Sequence, residues 1–136
     1  MSMISTSIEG GCACGALRYN AASKPSVSLI CHCLSCRRSA ASPVVAWLTF
    51  SRDTFRFVRG QPSVFRSSPA VRRTFCSSCG TPLTYENAAL ALEIDVTTCS
   101  VDDPDAFPPT YHAWLQDDLS WTRFGDNLPR FDKSKP

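Results

Sequence analysis

Cys31-His32-Cys33-Leu34-Ser35-Cys36 places three thiols within six residues, between two further cysteine pairs, Cys12-Ala13-Cys14-Gly15 and Cys76-Ser77-Ser78-Cys79-Gly80. These runs hold seven of the eight cysteines in a chain of 136 residues, and Cys99 stands apart. In a small secreted protein an even cysteine count reads as a disulfide framework. This chain is long enough to bury a core of its own. Its start, M-S-M-I-S-T-S-I-E-G, lacks the basic stretch and apolar run of a secretory leader. A cytoplasmic location is therefore expected, where thiols stay reduced and close-set cysteines bind metal or do thiol chemistry.

The outer pairs read as one site. A C-x-x-C turn brings Cys76 and Cys79 to one side of a tight loop. Gly80 after it accepts the positive φ that lets backbone N–H groups approach the sulfurs. Cys12 and Cys14, two apart on an extended segment, face the same way. Together the two pairs make a tetrahedral four-thiolate site, expected to hold structural zinc, with 61 residues between Cys14 and Cys76.

The central triplet reads differently. Cys31 and Cys33 share a face and the chain turns to present Cys36, while His32 between them points away. Three protein ligands and an open fourth position are the pattern of catalytic zinc. That position can take water or an incoming thiol, which a metal ion deprotonates. Cys99 or His32 as a fourth ligand would close the site, and a redox disulfide within Cys33-Leu-Ser-Cys36 is a further alternative. Arg37 and Arg38 follow the triplet, and Arg72 and Arg73 precede the second pair. Guanidinium groups there would offset thiolate charge and grip substrate carboxylates in bidentate fashion. Ordinary solvated arginines are the plain alternative.

Around the cysteines the pattern is mainly β. Short apolar or β-branched runs over 16–19, 27–30, 44–50, 54–58, 64–66 and 90–96 are separated by turn formers. In the last, Leu90, Leu92, Ile94 and Val96 alternate with Ala91, Glu93 and Asp95, as in a strand with one buried face. Only 34–41, L-S-C-R-R-S-A-A, suggests a helix, of about two turns, before Pro43. Hydrophobic residues make up 43% of the chain, which excludes a disordered polymer. Apolar runs such as 43–50 are far shorter than the roughly 20 residues of a membrane span. One domain over 1–136 is expected, with a polar tail over 132–136.

Residues 1–76 carry ten basic and two acidic side chains, and 77–136 carry four basic and ten acidic. With no run of more than two consecutive basic residues, the halves are expected to interleave their charges rather than bind nucleic acid.

The series C-x-C-G, C-H-C-x-x-C-R and F-C-x-x-C-G-T, followed by D-D-P, H-A-W, a Trp and D-N-L-P-R-F, resembles the glutathione-dependent formaldehyde-activating enzyme family, whose domain also occurs in centromere protein V. The likeness runs from about residue 9 to 131. Ala40, Ala41 and Ser42 stand where relatives often carry Gly. The resemblance implies a β-tent fold of small antiparallel sheets around two zinc ions. It implies structural zinc at Cys12, Cys14, Cys76 and Cys79 and catalytic zinc at Cys31, Cys33 and Cys36. The activity it implies is that of a carbon–sulfur lyase, joining glutathione or a similar thiol to formaldehyde or another small aldehyde. Arg37, Arg73, His112 and Trp114 are the candidate substrate contacts, with His112 a candidate proton donor as the one His outside the triplet. Trp121 and Phe131 are further candidate pocket walls. A non-catalytic zinc module for nucleic acid or protein, or a thiol or metal sensor, is the rival reading.

Overall fold

The computed structural model describes residues 7–136. Residues 1–6, where the stretch read against a secretory leader begins, lie outside the described residues. Strands β1 (Ile8–Gly11), β2 (Arg18–Ala21) and β5 (Phe55–Arg59) form a three-stranded sheet in the order β1-β2-β5. A larger sheet takes β3 (Val27–Cys31), β4 (Val45–Ser51), β6 (Ser63–Ser68), β7 (Val71–Phe75), β8 (Pro82–Asn87), β9 (Glu93–Thr97) and β10 (Tyr111–Ala113), in the order β10-β3-β4-β9-β8-β7-β6. One α-helix, α1 (Leu34–Ala40), and several 3₁₀ turns make up the helical content. This is the expected mainly β architecture with little helix. It differs in that one sheet has seven strands and is mixed, because β10 runs parallel to β3.

The two faces of the seven-stranded sheet have different tasks. On one face Leu48 and Phe50 of β4, Leu83 of β8, and Ile94 and Val96 of β9 meet Leu17, Tyr19, Ala21 and Phe55 around the small sheet, making the main core. The Tyr19 and Phe55 rings lie 5.1 Å apart, and the Tyr19 hydroxyl, buried with its ring, finds Ser100 at 2.6 Å. On the other face Leu29 and Cys31, Trp47, Asp95, Tyr85 and Arg73 line up across β3, β4, β9, β8 and β7. The helix and the C-terminal segment lie against this second face.

The strand expected over 90–96 begins only at Glu93. Leu90 and Leu92 are 58% and 85% exposed, and the alternation holds for Ile94 and Val96 alone. The Asn87 side chain accepts the Ala89 N–H at 3.0 Å and turns the chain into a 3₁₀ turn before β9 can start. Expected strand 16–19 is displaced to Arg18–Ala21, because the preceding residues close a loop on Cys12, with the Leu17 N–H at 3.2 Å from Cys12 Sγ. The sequence reading missed β1, β7, β8 and β10. Strand β7 is disguised by Arg72 and Arg73, and β8 by Pro82, Glu86 and Asn87. Their polar groups find partners: Arg52 and Arg72 both hold Glu86, and the buried Thr74 and Thr84 hydroxyls hydrogen-bond to each other.

Arg18–Asp102, Arg52–Glu86 and Arg72–Glu86 each join a residue of the basic half to one of the acidic half. The charges interleave as expected.

Candidate metal centres

Cys12 and Cys14, in the loop after β1, meet Cys76 and Cys79, in the turn between β7 and β8. All four sulfurs lie within 4.8 Å of one another. Two of the separations are 3.6 Å (Cys12–Cys14) and 3.8 Å (Cys14–Cys76). A tetrahedron with metal–sulfur bonds of about 2.3 Å has edges of about 3.8 Å, so the thiols stand at ligating distance. Gly15 and Gly80, each following a cysteine pair, have φ of 79° and 81°, as expected for Gly80. The left-handed conformation turns each loop back on itself, with the Gly80 N–H donating to the Cys76 carbonyl at 2.8 Å. The Thr81 hydroxyl, 3.2 Å from Cys79 Sγ, and then backbone N–H groups hold the Cys79 thiol down to about 5. Against the opposing Ala16 backbone hydrogen bond, the Cys12 and Cys79 thiols push the Cys14 thiol up to about 11, so the thiols of the cluster are unlike one another.

The triplet forms where β3 ends and α1 begins. Cys31 closes the strand, Cys33 is the helix N-cap, and Cys36 sits one turn in, buried. As an N-cap, Cys33 accepts the Cys36 N–H on its sulfur at 3.3 Å, so the helix start itself sets the spacing of two thiols. Hydrogen bonds from the Cys31 and Cys36 thiols push the Cys33 thiol down to about 2, and hydrogen bonding to Cys33 and Cys36 raises Cys31. A divalent cation bound here would displace the thiol protons. All lie within 4.8 Å, and among the described residues no fourth His, Cys, Asp or Glu joins them. The exposed Cys99 lies in the 3₁₀ turn after β9. His32 points away, its Nε2 3.0 Å from His112 Nδ1. Both clusters fit a thiophilic metal ion, one closed by four sulfurs and one held by three.

A cleft of about 590 Å³ opens over the triplet. Cys31, Cys33 and Cys36 lie on its wall with Trp47, Tyr85, Tyr111 and Trp114. Arg73, only 7% exposed, donates to Ser35 Oγ at 3.3 Å, reaches Cys36 Sγ at 3.8 Å, and lies 4.8 Å over the Tyr85 ring. Trp114 holds a φ of 60°, rare for a bulky residue. The Lys133 carbonyl fixes it, accepting the Trp114 N–H at 3.1 Å, and its side chain packs against the group of Cys31, Cys36, Val45 and Trp47.

Residues 7–117 match the family described as glutathione-dependent formaldehyde-activating enzyme. The chain belongs to that family. An uncharacterized lyase of Schizosaccharomyces pombe is 28% identical over 116 residues, covering 73% of this chain and 82% of the yeast protein. A crystal structure of a Rhodobacter sphaeroides protein shares the fold with a TM-score of 0.59 at 18% identity, over 90% of this chain and 98% of that one. Family membership and the lyase relative support a lyase. Among the described residues no helix is long and apolar enough to cross a membrane.

Of the substrate contacts and pocket walls expected from sequence, Arg73 and Trp114 are in the cleft, and Arg37, His112, Trp121 and Phe131 are not. The Arg37 guanidinium is held by the Asp117 carbonyl, and its side chain borders a separate shallow depression with Trp121 and Leu119. His112 is fully buried, pinned between His32 and Asp126, whose carboxylate oxygens lie 3.1 and 3.2 Å from Nε2. Phe124 packs on both imidazoles, at 5.7 and 4.8 Å. The pair fastens the C-terminal segment beneath the triplet and does not reach the cleft lining. Phe131 stacks edge-on to Tyr111 at 5.6 Å. Sequence reading missed Trp47, Tyr85, Asp95, Tyr111 and Lys135 as cleft residues. Only the same-face pattern of Trp47 with Thr49 on β4 and Asp95 with Thr97 on β9 could have hinted at them.

Proposed function

We propose that this protein is a zinc-dependent carbon–sulfur lyase that reversibly adds a small thiol, glutathione or a relative, to a small aldehyde, formaldehyde among them. The observation that carries this reading is the position of the three-cysteine cluster on the wall of a substrate-sized cleft, while the four-cysteine cluster is closed by its own sulfurs. Cys12, Cys14, Cys76 and Cys79 would hold a structural zinc ion, and Cys31, Cys33 and Cys36 a second ion. Bound there, zinc supplies a Lewis-acidic position that lowers the pKa of an entering thiol toward neutrality.

The chain's own groups prepare the rest. Three thiolates around a divalent ion leave one negative charge in excess, and the buried Arg73 guanidinium beside Cys36 balances it. A substrate thiolate brought into the cleft would meet that same cation. Beside the aromatic walls the surroundings are less polar than bulk water, so charge interactions there are stronger. In the reaction the thiol sulfur bonds to the aldehyde carbon, the C=O π bond opens onto oxygen, and that oxygen takes up a proton equivalent to the one the thiol lost. The product is a hemithioacetal, and the reverse direction is the lyase reaction.

The test is hemithioacetal exchange followed by NMR with glutathione and formaldehyde, with and without the metal-loaded protein. Acceleration by wild type and its loss in Cys33→Ser, with the four-cysteine site still loaded, are expected. Equal exchange rates with and without protein would overturn the reading.

A further inference from the structure

Asp95 is a carboxylate on the cleft wall with no cation beside it. It lies on β9 in a cross-strand row, with Thr49 on one side and Tyr85, then Arg73, on the other. The Thr49 hydroxyl donates to one carboxylate oxygen at 2.6 Å. Among the described residues no ion pair reaches Asp95. Each cation of the cleft is engaged elsewhere or faces solvent: Arg73 on Ser67, Ser35, Cys36 and the Tyr85 ring; Lys135 over the Tyr111 ring at 5.3 Å; and Arg38 exposed on α1. The groups that do border this end of the cleft are aromatic: Tyr85 next to Asp95 in the row, Trp47 with its ring 6.1 Å from that of Tyr85, and Tyr111.

An ionised carboxylate in such a place is costly unless a cation joins it. Burial first, and the nearby Glu93 next, lift its carboxyl to about 6 against the opposing Thr49 hydrogen bond. Aromatic faces beside a carboxylate suit a positive ligand, because the ring quadrupole and the charge both attract it. Arg73 and Asp95 are two strands apart in the row, roughly 9–10 Å by interstrand spacing. The cleft thus has a thiolate-compatible end at Cys36 and Arg73 and a cation-compatible end at Asp95.

We infer that the Asp95 end of the cleft is a binding site for a protonated amine, with Trp47, Tyr85 and Tyr111 around it. That the amine belongs to the thiol substrate rests on the function proposed above; that the site takes an ammonium group does not. Formaldehyde carries no such group, so the thiol is the partner that the cleft selects.

The test separates the two statements. Binding of n-butylammonium and of the neutral n-butanol to the metal-loaded protein is measured by calorimetry at pH 7.5, with no thiol or aldehyde present. Wild type is expected to prefer the ammonium by about tenfold, and Asp95→Asn to bring the two within twofold. Ligand NOEs from butylammonium to the Trp47 and Tyr85 rings in wild type locate the site without any variant. Equal affinities in wild type, or NOEs to other residues only, would overturn the inference, whether or not the protein turns over. In the exchange assay, a preference for cysteamine over 2-mercaptoethanol that disappears in Asp95→Asn would assign the amine to the thiol. No such preference, with butylammonium still bound, would remove that assignment alone.

Discussion

Arg73 Nη2 stands 3.8 Å from Cys36 Sγ, while the plane of its guanidinium covers Tyr85 at 4.8 Å. A buried cation is thereby fixed against a thiol cluster, and its removal should be felt by the metal before the fold. Arg73→Met is expected to weaken metal binding at the triplet by about 10- to 100-fold, the usual cost of losing a ligand's outer partner. The four-cysteine site should be unchanged. Arg73→Lys should fall between, since an ammonium keeps the charge but loses the planar fork and the stacking. Competition with a graded series of chelators measures both sites. Equal weakening of the two would contradict the assignment.

The two clusters should differ in what they hold together. An ion at the four-cysteine cluster would join the β1–β2 hairpin to the β7–β8 turn, and binding free energy in such sites is on the order of 10–16 kcal/mol, as large as a domain's stability. Cys76→Ser, or exhaustive chelation, should abolish the cooperative melting transition followed by circular dichroism. Cys33→Ser should keep that transition and bind about one ion per chain, against the two expected of wild type. A chelated protein with an unchanged melting curve would refute the structural assignment.

Asp95 gives stability a pH dependence with a definite sign. Its folded-state value of about 6 lies above the roughly 3.9 of an unfolded Asp, so the native state holds the proton more tightly. That contribution is complete below pH 4 and fades as pH rises through 6. Above that, the chain carries an ionised carboxylate facing Glu93 and the cleft tyrosines. Asp95→Asn should therefore raise stability at pH 8, by at most about 3 kcal/mol and by less to the extent that water reaches the carboxylate, and change little near pH 4. Urea melts at the two pH values decide it: no gain at pH 8 would mean that the carboxylate is better solvated than its burial implies.

Ala41 ends α1 with φ 51° and ψ 45°, a left-handed conformation that suits glycine better. Ala41→Gly should relieve about 1 kcal/mol of backbone strain, part of it offset by the freer unfolded chain. The melting temperature should rise by about 2–4 °C. Scanning calorimetry that finds a lower value would show the αL turn to be held by more than sterics.

Sequence reached the sulfurs and not the walls, for a physical reason. Thiols such as those of Cys31, Cys33 and Cys36 are set by spacing within one turn of chain, so their geometry is local and legible. Cleft residues come from six different strands, and each looks ordinary in its own segment. Asp95 reads as the polar side of an alternating strand. Arg73 reads as a surface charge until β7 is seen to lie inside the sheet. His112 attracted attention for its rarity, but Asp126, fourteen residues on, takes up one of its nitrogens and His32 the other. Leu90 and Leu92 continue a pattern in writing that the Asn87 turn breaks in space.

The family match ends at residue 117, yet Ser134 and Lys135 complete the rim of the cleft. They are carried there by the last segment, whose backbone is stitched to Trp114, Leu115 and Gln116 through the carbonyls of Lys133, Phe131 and Asp132. The doorway is thus built partly by a segment far along the chain from the cysteines. Substitutions at Ser134 or Lys135 would reshape the entrance without altering any sulfur, whereas changes at Asp126 would loosen the His112 and His32 pair behind it.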